Sequence, residues 1–365
     1  MRRTTRLTAA VLAFLSAPVA QALDTQTGPV RIDRIAAGFT DPWSFGFLPG
    51  GGVLVTEKGG RLWYVAGGSA RQIDGLPDSV PDGQGGLLDL LIPRDFGRTR
   101  QIYLTFSKAQ GAGSGTALAS GRLDTEAGRI ENLRVIFEMT PGSSGGRHFG
   151  SRLAEGADGK IYMSIGERGD RPAAQDLSRH NGSIVRLNRD GTVPDDNPFI
   201  GDEGAEPAIW SYGHRNPQGM AVDATGQLWV NEHGAQGGDE VNRIRRGANY
   251  GWPVIAYGRH YSGQKIGEGT TRPGMEQPEF YWDPSIAPSG MVFHSGSGHA
   301  PWRGNAFVGS LKFDYVARLA GDPLREVERI SSPETARVRD VREGPAGGLW
   351  FLSEDDGALY RMVPE

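Results

Sequence analysis

The sequence predicts an all-β fold, a six-bladed β-propeller, on three observations. A short apolar triplet, most often with an aromatic centre, recurs six times behind a glycine or polar turn. Gly (55 residues) and Pro (23 residues) punctuate short runs of Val, Ile, Leu, Tyr, Phe and Trp, as they do in all-β chains. No long stretch carries helical periodicity.

The triplets are Val53-Leu54-Val55, Ile102-Tyr103-Leu104, Ile161-Tyr162-Met163, Leu228-Trp229-Val230, Ala306-Phe307-Val308 and Leu349-Trp350-Phe351. Repeats roughly 45 to 80 residues apart suit blades of four strands around a channel. A further strand often follows closely, as in Arg61–Val65 or Ser183–Leu187, and Asp158-Gly159, Asp190-Gly191 and Asp356-Gly357 stand where tight turns are wanted. The last strand, Ala358–Met362, is expected to pair with Val30-Arg31-Ile32 and seal the ring, removing open sheet edges. Two stacked β-sandwich domains would also be all-β, but no linker-like change in composition divides the chain, so residues 23–365 are read as one domain.

Residues 1–22 read as a signal peptide: Arg2, Arg3 and Arg6, an apolar run from Leu7 to Ala20, and Ala20-Gln21-Ala22 as the cleavage pattern. The run is shorter than the about 20 apolar residues a spanning helix needs. The expectation is therefore an exported, periplasmic protein without a membrane span, by a route the Arg2-Arg3 pair alone leaves open. With 39 basic and 43 acidic residues the charge is near balance, which argues against nucleic acid as a partner. There is no cysteine, so thiolate catalysis, thiolate metal sites and iron–sulfur clusters are excluded.

Four segments are richer in polar groups than loops require. In Gly146–Leu153, His148 is either a structural histidine or a base; if the strand ending at Glu167 meets it, the carboxylate would orient one ring nitrogen and free the other. In Ser211–Gly219, Arg215, Asn216 and Gln218 offer a dense donor set for carboxylates or carbonyls, or simply a hydrogen-bonded turn. In Asn231–Glu240, glycine-rich backbone and clustered carboxylates would suit calcium, although charged loops are usually just solvated. Lys312, with Arg337 and Arg339 spaced to share one strand face, would meet an anion or lie on the surface.

Taken in this order, the segments resemble the soluble quinoprotein glucose and aldose sugar dehydrogenases, from about Gly38 to Val363 and closest to the aldose branch. The matching stretches include Trp210–Gly219, Gly247–Pro253 and Trp282–Gly290. The resemblance implies a propeller holding pyrroloquinoline quinone (PQQ) and Ca2+ at the channel mouth. It makes His148 the base, Glu167 its orienting acid, and Arg215, Asn216, Gln218 and Gln84 neighbours of cofactor and sugar. Lys312, Arg337 and Arg339 would pair with the cofactor carboxylates, and Tyr261 would stand nearby. Carbonyls of Gly234 and Ala235 would bind the cofactor's calcium, with Glu240 and the Tyr250 carbonyl at a second ion.

The implied reaction is oxidation of an aldose at C1 to a lactone, with electrons passed to an acceptor that the sequence does not name. Two departures stand out: Ala235 replaces a proline of the glucose enzyme, and Arg147 stands where that enzyme has an acid before the base. Short connections would leave an open site and broad aldose specificity. Two rivals remain: a lactonase-type metal hydrolase with carboxylates at the channel axis, and a non-catalytic binding propeller.

Overall fold

The computed structural model describes residues 22–111 and 113–365, so the signal-peptide reading, all but Ala22, lies outside the described residues. Six antiparallel sheets form a ring. Blade 1 consists of Pro42–Phe47, Val53–Glu57, Arg61–Ala66 and Ser69–Ile73; blade 2 of Leu87–Leu91, Gln101–Gln110, Gly113–Asp124 and Arg129–Glu138. Blade 3 comprises Leu153–Glu155, Ile161–Ile165, Ser183–Leu187 and Ile209–Tyr212; blade 4, Pro217–Val222, Leu228–Glu232, Asp239–Arg243 and Phe280–Trp282. Blade 5 is Pro288–Phe293, Ala306–Ser310, Val316–Ala320 and Arg325–Ile330. Blade 6 takes Val338–Glu343, Leu349–Ser353 and Ala358–Pro364 from the end of the chain, then Gly28–Ala37 and Leu23–Thr25 from its start.

Every one of the six recurring triplets is the second strand of its blade. These strands have sheet neighbours on both sides and other blades on both faces, so nearly every side chain is buried and must be apolar. The ring closes as the sequence suggests, with Val30 opposite Pro364 and Ile32 opposite Met362. Among the described residues, helix is confined to Phe96–Thr99 and three short 3-10 turns. The core is distributed between neighbouring blades; Leu54 and Leu62 of blade 1, for example, pack with Leu104 and Phe106 of blade 2.

The first strands of successive blades touch one another around the axis and wall the channel. Midway along it, Arg152 bonds Asp89 at 3.2 Å and Asp340 at 3.0 Å, and Arg342 bonds the same two carboxylates at 2.9 Å each. This quartet, buried except at Arg342, joins blades 2, 3 and 6, and Ser44 of blade 1 bonds both Asp89 and Arg342. Beginnings of the first strands (Trp43, Leu88, Gln218, Arg339) line a cavity at one mouth, and their ends (Phe47, Leu91, Val222, Phe293) line one at the other.

Candidate active site

The first strands are irregular where they approach the first mouth. Their pairing registers shift between Pro42 and Ser44, Leu87 and Leu90, Pro217 and Gly219, Pro288 and Met291, and Val338 and Asp340. A bulge turns side chains off the ordinary alternation. In four of these five strands a residue inside the bulge (Trp43, Leu88, Gln218, Arg339) faces the same cavity of about 480 Å³. That volume suits a small organic ligand.

His148 lies in the connection from blade 2 to blade 3, in a left-handed conformation with φ 55°. Its peptide N–H donates to Gln84 Oε1 at 2.7 Å, and its Nδ1 lies 2.7 Å from Glu167 Oε1. The Glu167 side chain is only 1% exposed, and its second oxygen accepts from the Gly169 N–H. Beside it, Gly166 leaves no room for a Cβ, which would collide with the His148 carbonyl oxygen. Burial pulls the His148 imidazole below its ordinary pKa; Arg215 and Arg147 add to this, while the Glu167 bond opposes it. With Nδ1 donating to Glu167, Nε2 of the neutral ring is a free base.

Arg215, only 7% exposed, begins the stretch leading into blade 4. Its main chain is gripped from both sides: its carbonyl accepts from Glu167 N–H at 2.9 Å, and its own N–H donates to Glu232 at 2.6 Å. The guanidinium donates to the His233 carbonyl at 3.2 Å and lies 5.3 Å from the Trp252 ring centre, but its Nε is buried without a partner. Burial also lowers its pKa, against the raising influence of Glu167, Tyr261 and Asp239. Asn216 accepts from Gly150 N–H at 3.3 Å and from the Gln218 amide at 3.2 Å. Ser211, His214 and Glu232 are hydrogen-bonded like a nucleophilic triad (3.0 and 2.8 Å), but Ser211 and His214 are fully buried, so the set anchors Arg215 instead.

On the far wall of the cavity stand Lys312, Arg337, Arg339 and Lys58. Arg337 precedes its strand in a left-handed conformation (φ 45°), so the strand-face reason for grouping it with Arg339 does not hold. The two converge on Glu354 instead, Arg339 Nε at 2.7 Å and Arg337 Nε at 3.3 Å, with Lys58 at 3.9 Å. Burial alone would raise the Glu354 carboxyl, but these three cations hold it below the usual range. Three cations thus share one carboxylate, and with Lys312 on the same cavity the excess of positive charge suits an anion.

Gly234, Ala235, Glu240 and Tyr250 gather around a second, small cavity of about 20 Å³, together with Arg215, Glu232 and His233. His233 borders both cavities. Burial, and then Glu232, pushes the Glu240 carboxyl up to about 8. The Tyr250 hydroxyl is committed to the Arg243 carbonyl at 2.6 Å, and its ring stacks on His214 at 4.5 Å. Tyr261 is 76% exposed and lines neither cavity, although it lies near enough to Arg215 to act on its charge. Lys58, Trp43, Phe149, His233 and Glu354 escaped the sequence reading.

Fold and site define a six-bladed propeller with a hydrogen-bonded His148–Glu167 pair near a cation-lined cavity at one channel mouth. Residues 39–361 match the glucose/sorbosone dehydrogenase family, and the chain belongs to that family of oxidoreductases. An aldose sugar dehydrogenase of Escherichia coli, YliI, is 41% identical over 356 residues, covering 95% of this chain and 96% of the relative. The crystal structure of the soluble aldose sugar dehydrogenase from Escherichia coli in the apo-form is similar at TM-score 0.89 and 41% identity, covering 92% of this chain and all of that one. The PQQ-bound aldose sugar dehydrogenase from Streptomyces coelicolor is similar at TM-score 0.77 and 26% identity, covering 95% and 99%.

Proposed function

We propose that the protein oxidises aldose sugars at C1 to lactones using PQQ and Ca2+, with His148 as the base. The observation that carries the reading is that Gln84, which accepts the His148 N–H, and Phe149 and Gly150, which follow His148 in the chain, line the same cavity as the Lys58, Lys312, Arg337 and Arg339 cations. The residues fit the cofactor. Lys312, Arg337, Arg339 and Lys58 would hold its carboxylates, and the unpartnered Arg215 Nε, with Asn216 and Gln218, would meet its carbonyl oxygens. A calcium ion would take carbonyl oxygens of Gly234 and Ala235, and Glu240 with the Tyr250 carbonyl would serve a second ion. Tyr261 would act only at the rim.

When bound, the quinone supplies the hydride acceptor and the ion its electrophilic activation. The protein's own work is at the sugar. Nε2 of His148 takes the proton of the C1 hydroxyl as hydride leaves C1, and Glu167 keeps the ring in the tautomer that can do so. Arg215 places a fixed cation where negative charge develops. Trp43, Leu88 and Phe149 give the cavity an apolar wall that limits water.

A lactonase-type hydrolase would need free carboxylates on the channel axis, whereas Asp89 and Asp340 are both bonded to Arg152 and Arg342. A dead binding propeller would leave the His148–Glu167 pair without purpose. Export to the periplasm and transfer of electrons to a separate acceptor complete the proposal; no helix of the described residues is long and apolar enough to cross a membrane. The test is glucose-dependent dye reduction by purified apoprotein. Turnover that requires both PQQ and Ca2+ is expected, and failure of PQQ to bind would overturn the reading.

A further inference from the structure

Arg168 follows Glu167, and it is one of the largest fully buried side chains in the protein, only 2% exposed. Among the described residues no carboxylate lies within ion-pairing distance of its guanidinium. Burial pulls its pKa down to about 10, with Glu167 and Asp82 only partly opposing. An unpaired buried cation is expensive, and an apolar residue of the same volume would ordinarily be the more stable choice. What the guanidinium does touch is specific. One NH2 group donates to the carbonyl of Arg147, the plane lies over the Phe149 ring with 3.3 Å between centres, and the other NH2 reaches Ser114 at 3.5 Å.

Two of these contacts are the immediate neighbours of His148 in the chain, one on each side. His148 itself holds φ 55° and Arg168 φ 62°, conformations that persist in non-glycine residues only when their surroundings enforce them. Phe149 also lines the cavity. The dipeptide Glu167-Arg168 therefore grips the base twice: the carboxylate fixes the ring, and the guanidinium fixes the main chain carrying it.

We propose that Arg168 is a positioning residue that sets the imidazole of His148 for proton abstraction through its planar contacts with Arg147 and Phe149. The inference rests on the reading of His148 as the base. A lysine keeps the charge but lacks the planar fork, so it cannot make both contacts at once.

The test uses Arg168→Met and Arg168→Lys, each characterised by thermal melting, by 15N NMR of the imidazoles in cofactor-free protein (His148 assigned with His148→Gln), and by turnover with PQQ, Ca2+ and glucose. Wild-type His148 should give a single Nδ1-protonated tautomer, under the influence of Glu167, Arg215 and Arg147, which face it. In both variants the nitrogen signals should move toward a tautomer mixture. kcat should fall about a hundredfold, while KM and PQQ affinity stay within about threefold, as misplacement of a base requires. If Arg168→Met fails to fold, Arg168→Lys decides. Wild-type His148 signals in either folded variant would overturn the proposal, as would kcat and PQQ affinity falling in parallel. Should wild type show no PQQ-dependent turnover, it is the parent reading that fails, and the imidazole signals alone still decide whether Arg168 places the ring.

Discussion

Glu167 Oε1 sits 2.7 Å from Nδ1 of His148, bringing the end of a blade 3 strand to the connection that enters the blade. The bond commits Nδ1 and so leaves Nε2 as the nitrogen available for base chemistry. Replacing His148 with Ala should lower kcat by about a hundred- to ten-thousand-fold while PQQ still binds, as absorbance titration of the apoprotein would report. Near-normal turnover would refute the role.

The same pair fixes a pH dependence. The base works when neutral, so kcat/KM should hold as pH falls through the ordinary imidazole range and drop only below it, because burial depresses the His148 pKa. The Glu167 bond raises that pKa, so Glu167→Gln should move the acid limb to still lower pH. Its plateau rate should also fall, because an amide selects the tautomer less strictly. A limb moving to higher pH would contradict the assigned polarity.

Lys58 should behave as a cofactor-binding cation although it lies in an ordinary turn. Lys58→Met removes one of four positive charges facing the cavity, and PQQ affinity should weaken about tenfold, equivalent to a single charge-assisted contact. Arg339→Met should cost more, because it also leaves buried Glu354 short of its nearest cation. Equal affinity in Lys58→Met and wild type would remove Lys58 from the site.

Calcium should stabilise the fold through the small cavity around Glu240. A ligand at a hundred times its Kd adds about 2.7 kcal/mol. Melting of chelator-treated protein should therefore shift upward on adding Ca2+, and Glu240→Gln should reduce that shift. An identical shift in the variant would place the ion elsewhere.

The channel quartet should matter for stability rather than chemistry. Asp89→Asn leaves Arg152 and Arg342 each short of a buried partner, so urea unfolding should report a loss of about 3–5 kcal/mol. Turnover per folded molecule should change little.

The second strands were readable in the sequence because burial on both faces leaves them almost no choice but apolar residues, as in Ile161–Ile165. The first strands were not. Their channel-facing positions carry Ser44, Asp89, Gln218 and Arg339, and their bulges break the alternation by which strands are recognised. Arg337 and Arg339 come together through Glu354 rather than on a shared strand face, and nothing near Glu354 in the sequence announces that meeting. Lys58 and Arg168 look like any turn lysine and any loop arginine until the blades bring the cavity and the base to them.

Val30 pairs with Pro364, so the sixth sheet is built from opposite ends of the chain. Five blades can form from local segments as the chain is threaded out, but the last must wait for both ends to meet, a contact of very high sequence separation. Until then the outer edge of blade 6 and the inner strand of blade 1 lack their neighbours, and the anion cavity lacks a settled wall, since Arg337, Arg339 and Glu354 all belong to the closing blade. Assembly of the ring and competence to hold a ligand are therefore one event. A chain clipped before Ala358 loses both, and a permutant whose new ends fall in the Asp356-Gly357 turn, with the old ones joined, would make the Val30–Pro364 pairing local and move the long-range closure to the seam between Leu349–Ser353 and Ala358–Pro364.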